Sequence, residues 1–254
     1  MSNNKLTTRL SNQNVIETAR QQYENTQQSK LPSIVIDLPS KGLIYPEDSI
    51  LRDGKVEMRY MTAFDEDIIT NASYLQNGIL FDKLIDAILI SPIKSKDIAP
   101  LDRDMLIVYS RILSYGPEYP VTVEDPKTKT VLERVVDLSK LAQKPFDLVP
   151  DKNGEFDYKV NDDITLKFAY NSKMQENATI SQILKQLIRQ VGTTRTESDI
   201  EHFIRYEFLA RDAKEFRTFY IKNAPGINYE YDFEGEDGGT FKSRFQIGSD
   251  IFWF

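Results

Sequence analysis

One histidine, His202, and no cysteine stand in this 254-residue chain. The side chains that most often move protons or attack carbonyls near neutral pH are therefore almost absent. Disulfides, iron–sulfur clusters, thiolate zinc sites and cysteine nucleophiles are excluded. His202 falls beside Phe203 in a predicted helix, where a lone imidazole reads as a surface or packing residue. No Gly-x-Ser-x-Gly elbow, Walker loop or Gly-x-Gly-x-x-Gly turn is present. Carboxylates remain, because paired acids can act without histidine. Asp65 with Asp67, and Asp102 with Asp104, have that spacing. Each pair also lies near a predicted helix N-terminus, where the dipole favours negative charge. Asp151-Lys-Asn-Gly-Glu155 resembles a calcium loop, but its glycine comes fourth rather than sixth and no bidentate glutamate follows. It reads as a turn, as do Asp162 and Asp163. The expectation is a chain that is no enzyme and takes no cofactor or metal; a metal-dependent hydrolase using Asp65 and Asp67 is the alternative.

The elements that would position these groups follow from apolar spacing and from proline and glycine. Ile34-Val-Ile36 reads as a short strand, and Val56, Met58 and Tyr60 alternate as in a half-buried one. Helices are predicted over 65–72, with Thr62 a cap upstream, and over 79–89, where Phe81, Leu84, Ile85, Ile88 and Leu89 form one stripe. A third runs over 103–115, capped by Asp102 and stopped by Gly116-Pro117; it is apolar on nearly every side and should be the most buried. Strands are expected at 119–123 and 130–136 around a hairpin at 125–129. Asn153-Gly154 marks a second hairpin, feeding Phe156, Tyr158, Val160 and Ile164, Leu166, Phe168. Ile180, Ile183, Leu184, Leu187, Ile188 and Val191 make a helical stripe, followed by helices over 197–209 and 212–222. Tyr229, Tyr231 and Phe233, then Phe241, Phe245 and Ile247, alternate across Asp237-Gly-Gly239 as a closing acidic hairpin.

These elements describe an α+β fold: a helical core, a small antiparallel β insertion and a C-terminal β-hairpin. Four stretches are expected. Residues 1–30 form a flexible polar arm, with an arm that folds on a partner as the alternative. Residues 31–117 are an α+β core, 118–170 a ribbon-like β insertion, and 171–254 helices, the hairpin and an aromatic end. The net charge of −7 argues against nucleic acid, which is bound by lysines and arginines neutralising phosphates. No apolar run approaches the roughly 20 residues that span a bilayer. The start, Met1-Ser-Asn-Asn-Lys5, lacks the apolar stretch of a signal peptide, so the chain is expected to stay in the cytoplasm where it is made. Three features stand out as contact surfaces, and one is the closing acidic hairpin, whose alternating faces leave an outer face that is simply solvated in the alternative. The 38–46 loop carries Leu43, Ile44 and Tyr45, more apolar weight than an idle turn needs. The chain ends in Phe252, Trp253 and Phe254, the residue class that anchors interfaces. For the loop and the aromatic end, packing on the chain's own core is the alternative.

Six motifs, taken in order, carry a resemblance. They are Leu38-Pro-Ser-Lys-Gly-Leu-Ile-Tyr-Pro46, Val56-Glu-Met-Arg-Tyr-Met-Thr-Ala63 and Asp65-Glu-Asp-Ile-Ile-Thr-Asn71, then Leu101-Asp-Arg-Asp104, Arg111-Ile-Leu-Ser-Tyr-Gly116 and Val136-Asp-Leu-Ser139. Together they resemble the baseplate hub assembly proteins, or chaperones, of T-even-like myoviruses, through about residues 31–150 and again at the aromatic end. The resemblance implies a late protein of tail assembly that helps build the central hub by binding hub or tape-measure proteins. It would work in the host cytoplasm, or in the virion baseplate if it is a permanent subunit instead. It brings no catalytic residues and implies no oligomeric state. Many members of that family carry a Cys-x-x-Cys knuckle on the hairpin after the Tyr-Gly motif; here Glu124-Asp-Pro-Lys-Thr-Lys129 stands there, so this hairpin must hold by side-chain packing, without zinc.

Overall fold

The computed structural model describes residues 31–170 and 177–253, and the arm expected over residues 1–30 lies outside the described residues. Strand β1 (Ser33–Asp37) pairs antiparallel with β2 (Lys55–Arg59), placing Ile34 opposite Met58 and Ile36 opposite Val56. Four helices follow: α1 (Ala63–Ile69), α2 (Ala72–Gln76), α3 (Leu80–Ile88) and α4 (Pro100–Tyr115). Thr62 and Asp65 open α1 as a reciprocal capping box. The predicted stripe of α3 points inward, with Leu84, Ile85 and Ile88 fully buried. Helix α4 begins earlier than its sequence suggested. Pro100 takes its first turn after Ala99, a position where the missing N–H costs nothing, so Asp102 lies inside the helix and is no N-cap. Met105, Leu106, Ile107 and Val108 make α4 a core helix, as expected.

The β region is two assemblies. Strands β3 (Glu118–Glu124) and β4 (Val131–Asp137) form a two-stranded ribbon. Strands β5 (Phe156–Lys159), β6 (Thr165–Phe168) and β7 (Ile188–Val191) form an antiparallel sheet in that order. Strand β7 departs from the sequence reading. The stripe through Val191 is helical only in α5 (Ile180–Leu187); Ile188 is extended, and the branched Ile188 and Val191 pair with β6 instead. Asn153-Gly154 also departs, because the β5–β6 hairpin turns at Asn161, whose side chain accepts from the N–H of Asp163 and Ile164. Helices α6 (Glu197–Tyr206) and α7 (Ala210–Lys222) precede the closing hairpin of β8 (Glu230–Glu234) and β9 (Thr240–Arg244). The fold is α+β around one core. Its β side is aromatic: Phe156, Phe168 and Tyr170 interlock, and Tyr170 stacks on Tyr220 of α7 at 4.5 Å between centroids.

Candidate interaction surface

The acidic candidates are built into the fold. Asp102 is fully buried on α4, where its Oδ1 accepts from Ser40 N at 2.9 Å. Its Oδ2 accepts from Ser40 Oγ at 2.6 Å and from the Tyr45 hydroxyl at 2.7 Å, and that hydroxyl accepts in turn from Ala99 N. No cation pairs with Asp102 among the described residues. Burial therefore pushes its carboxyl above the usual range, against the lowering effect of these hydrogen bonds. Asp65 is buried too, but Arg59 grips it with two nitrogens at 2.7 and 2.9 Å, and Thr62 donates both N–H and hydroxyl. Desolvation pushes the Asp65 carboxyl up; those donors outweigh it and hold the carboxyl below its ordinary value. Asp67 is exposed on α1. Asp151 accepts from the N–H of Asn153 and Glu155 and pairs with Lys167 at 3.1 Å. His202 sits at the surface with Nδ1 3.0 Å from Glu207. Among the described residues no cluster of three His, Asp or Glu side chains could hold a metal ion.

The 38–46 loop and the aromatic end divide between core and solvent. In the 38–46 loop Ile44 and Tyr45 are buried, and Leu43 packs partly buried against the same core. The turn of Asp151-Lys-Asn-Gly-Glu155 closes over this loop, with Glu47 N donating to Lys152 O. Gly154 has φ +74°, and a Cβ there would meet the Ile44 backbone at 2.7 Å. At the C-terminal end Ile251 and Phe252 are buried. Arg111 Nε donates to Ile251 O at 2.8 Å, and the Phe252 ring lies 6.3 Å from Phe81 and 6.2 Å from Tyr115. Trp253 is 43% exposed beside this docked pair, and Phe254 lies outside the described residues.

Other features escaped the sequence reading. Arg111 is a buried guanidinium held by three carbonyls, of Ile251, Gly116 and Glu118, and by the Tyr115 ring at 5.3 Å. Val131 and Val135 lie on the outer face of β4, exposed by 65% and 60%; the alternation with Leu132 and Val136 carried that signal. The β3–β4 hairpin is closed by more than packing. Asp125 Oδ1 accepts from Lys127 N, and the neighbouring β8–β9 hairpin supplies Glu234 O to Arg134 and Asp237 to Lys127. A cavity of about 420 Å³ opens between α4 and the segment after β9.

The family model of the T4 bacteriophage base plate protein matches residues 32–245. The chain belongs to the T4 bacteriophage base plate protein family. No curated protein and no solved structure matches it. In this base plate protein the matched residues run from the start of β1 to Phe245, taking in the 38–46 loop, Asp102 and the nine strands found among the described residues. The docked Ile251-Phe252 and the exposed Trp253 lie beyond the match. No helix among the described residues is long and apolar enough to cross a membrane.

Proposed function

We propose that this base plate family member is a non-catalytic assembly protein that helps build the baseplate hub by binding hub or tape-measure proteins. The observation that carries the reading is where the polar chemistry has gone. The buried acids Asp65 and Asp102 are saturated with donors from the chain itself, which leaves neither a free general base nor a metal ligand set at those positions. Trp253, Val131 and Val135 are left exposed, and a large aromatic at the end of a docked tail is the kind of side chain that anchors a protein partner. Residues 43–45 support recognition indirectly, by fixing the loop that α4 and the Asp151 turn enclose.

The test is a pull-down of the tagged full chain from phage-infected cells, with quantitative mass spectrometry of the eluate and of purified virions. Hub or tape-measure proteins in the eluate, with this chain absent from virions, are the expected result. A fixed copy number in virions would make it a permanent baseplate subunit instead. Absence of every tail protein from the eluate would overturn the assembly reading.

A further inference from the structure

The outer edge of β1 is open. In an antiparallel pair only every second residue turns its N–H and C=O toward the neighbouring strand. Leu38 N donates to Gly54 O and Tyr60 N to Pro32 O, so the even-numbered residues of β1 are the ones that face β2. Glu57, opposite Val35, agrees: its N–H donates to Ser91 Oγ and its C=O accepts from Ile90 N, both on the far side of β2. The backbone groups of Ser33, Val35 and Asp37 therefore point away from β2, where no further strand lies among the described residues. On that side Asp37 O accepts one long bond from the Gln143 side chain, at 3.4 Å, and nothing described bonds the backbone of Ser33 or Val35. All three residues are exposed.

Such an edge is a template for another strand unless a bulge, a lysine or a proline blunts it. The β1–β2 register runs without a bulge, and β1 holds no lysine. Pro32 does not close the edge either, because its missing N–H would have faced β2.

A second β1 fits this edge in one register. Turned antiparallel on itself about a two-fold axis at Val35, the strand sets Val35 against Val35 and Ser33 against Asp37. All three outward-facing residues then fall in hydrogen-bonded pairs. An axis at Ile36 would set Ser33 against Pro39, which has no N–H to give, and an axis at Ile34 would run Asp37 past the end of the strand against Leu31. The side chains agree with the axis at Val35. Across the four strands the central row reads Glu57, Val35, Val35, Glu57, and each row beside it reads Arg59, Ser33, Asp37, Lys55. Two branched apolar side chains meet at the centre, and no like charges stand side by side.

We infer that β1 is a dimerisation strand, pairing with β1 of a second copy about Val35 to make one antiparallel sheet in the order β2–β1–β1–β2. The contact is isologous and short, so the dimer forms reversibly with concentration. It stands apart from the assembly reading, and neither depends on the other.

The experiment is sedimentation velocity of the purified full chain over a wide concentration range, with melting temperatures as a control on folding. The wild type should pass from monomer to dimer as concentration rises. Val35→Pro removes a donor that β2 does not use, so it should weaken dimerisation about tenfold or more while the chain stays folded. Val35→Lys and Val35→Glu, at the same exposed side chain, should each do likewise, because each sets like charges face to face across the axis. Mixed in equal amounts, those two variants should dimerise again, a rescue that only a contact centred on residue 35 produces. A wild type that stays monomeric throughout would overturn the inference, and protection of its Val35 amide from hydrogen exchange would then give the edge to another segment of the same chain. A dimer that survives Val35→Lys and Val35→Glu unchanged, or a mixture that shows no rescue, would overturn it as well.

Discussion

Replacing Asp102 with asparagine tests whether the 38–46 loop is held to α4 by a buried anion. The substitution keeps the size of the side chain and one oxygen, which can still serve Ser40 N. At the position of Oδ2 it puts an NH2, facing two hydroxyls that both donate there, those of Ser40 and Tyr45. Tyr45 cannot simply turn away, because its oxygen already accepts from Ala99 N. Two buried donors without acceptors cost about 1–3 kcal/mol each. Relief of the buried charge returns part of that, so the expected net loss is about 2–4 kcal/mol. For a chain of this length that corresponds to a fall of roughly 5–15 °C in melting temperature. Urea unfolding followed at several pH values reads both size and sign. The folded-state pKa of Asp102 is raised, so its contribution is greatest below the unfolded value and declines as pH rises through the folded one. The wild-type advantage over Asp102→Asn should therefore widen on acidification. A variant within about 0.5 kcal/mol of wild type would refute the reasoning, and so would an advantage that narrowed in acid.

Asp65→Asn should behave oppositely in pH. Its folded pKa is depressed, so the advantage of the Arg59 pair is complete above the unfolded pKa and is lost as pH falls through the folded one. Chemical denaturation at neutral pH should show a loss of about 3–5 kcal/mol, the cost of leaving Arg59 buried without its partner. Gly154→Ala should cost well over the roughly 1 kcal/mol of a positive φ alone, because the added Cβ meets backbone; Gly78→Ala, with φ +65° and open space, should cost only that conformational amount. The melting temperatures of the two alanine variants make the comparison. Trp253→Ala should lose partners in the pull-down with an unchanged melting temperature, whereas Phe252→Ala should also destabilise by about 3–5 kcal/mol. Deleting residues 252–254 together would mix the two effects.

Periodicity told which side chains would be buried better than it told which backbone would carry them. The stripe from Ile180 onward correctly marks Leu184, Leu187 and Ile188 as core, but a stripe cannot say that Ile188 leaves the helix to pair with β6. Pro100 was the legible sign that α4 starts before Asp102, and it competed with a residue type that favours caps. The glycine of Asn153-Gly154 is required, though for a close approach to the 38–46 loop and a positive φ rather than for a hairpin. In the candidate surface, residue type singled out Ile44, Tyr45 and Phe252 because they are large and apolar. Type alone cannot distinguish a ring that meets Phe81 of its own chain from one that meets a partner. The cavity was illegible for a simpler reason: Arg103 and Arg244 come from elements far apart in sequence.

The motifs that carry the family resemblance have one thing in common in the fold: most of them close a polar contact that holds the chain together. Ser40 and Tyr45 of the first motif meet Asp102 of the fourth. Arg59 of the second grips Asp65 of the third. Within the fifth, Arg111 bonds Gly116 O and lies over the Tyr115 ring, which explains their spacing. In the last, Asp137 accepts from Ser139 N and Oγ. The buried ones among these contacts, those of Asp102, Asp65 and Arg111, tolerate little substitution, because losing one partner strands the other. They mark a chain as having this fold and say little about what it holds. Recognition by this base plate protein is then to be sought outside those motifs, at exposed positions such as Trp253, Val131 and Val135. The same reasoning separates the experiments. Substitutions at the buried polar contacts of these motifs should register first as lost stability, and those at Trp253 as lost binding in a protein that melts as before.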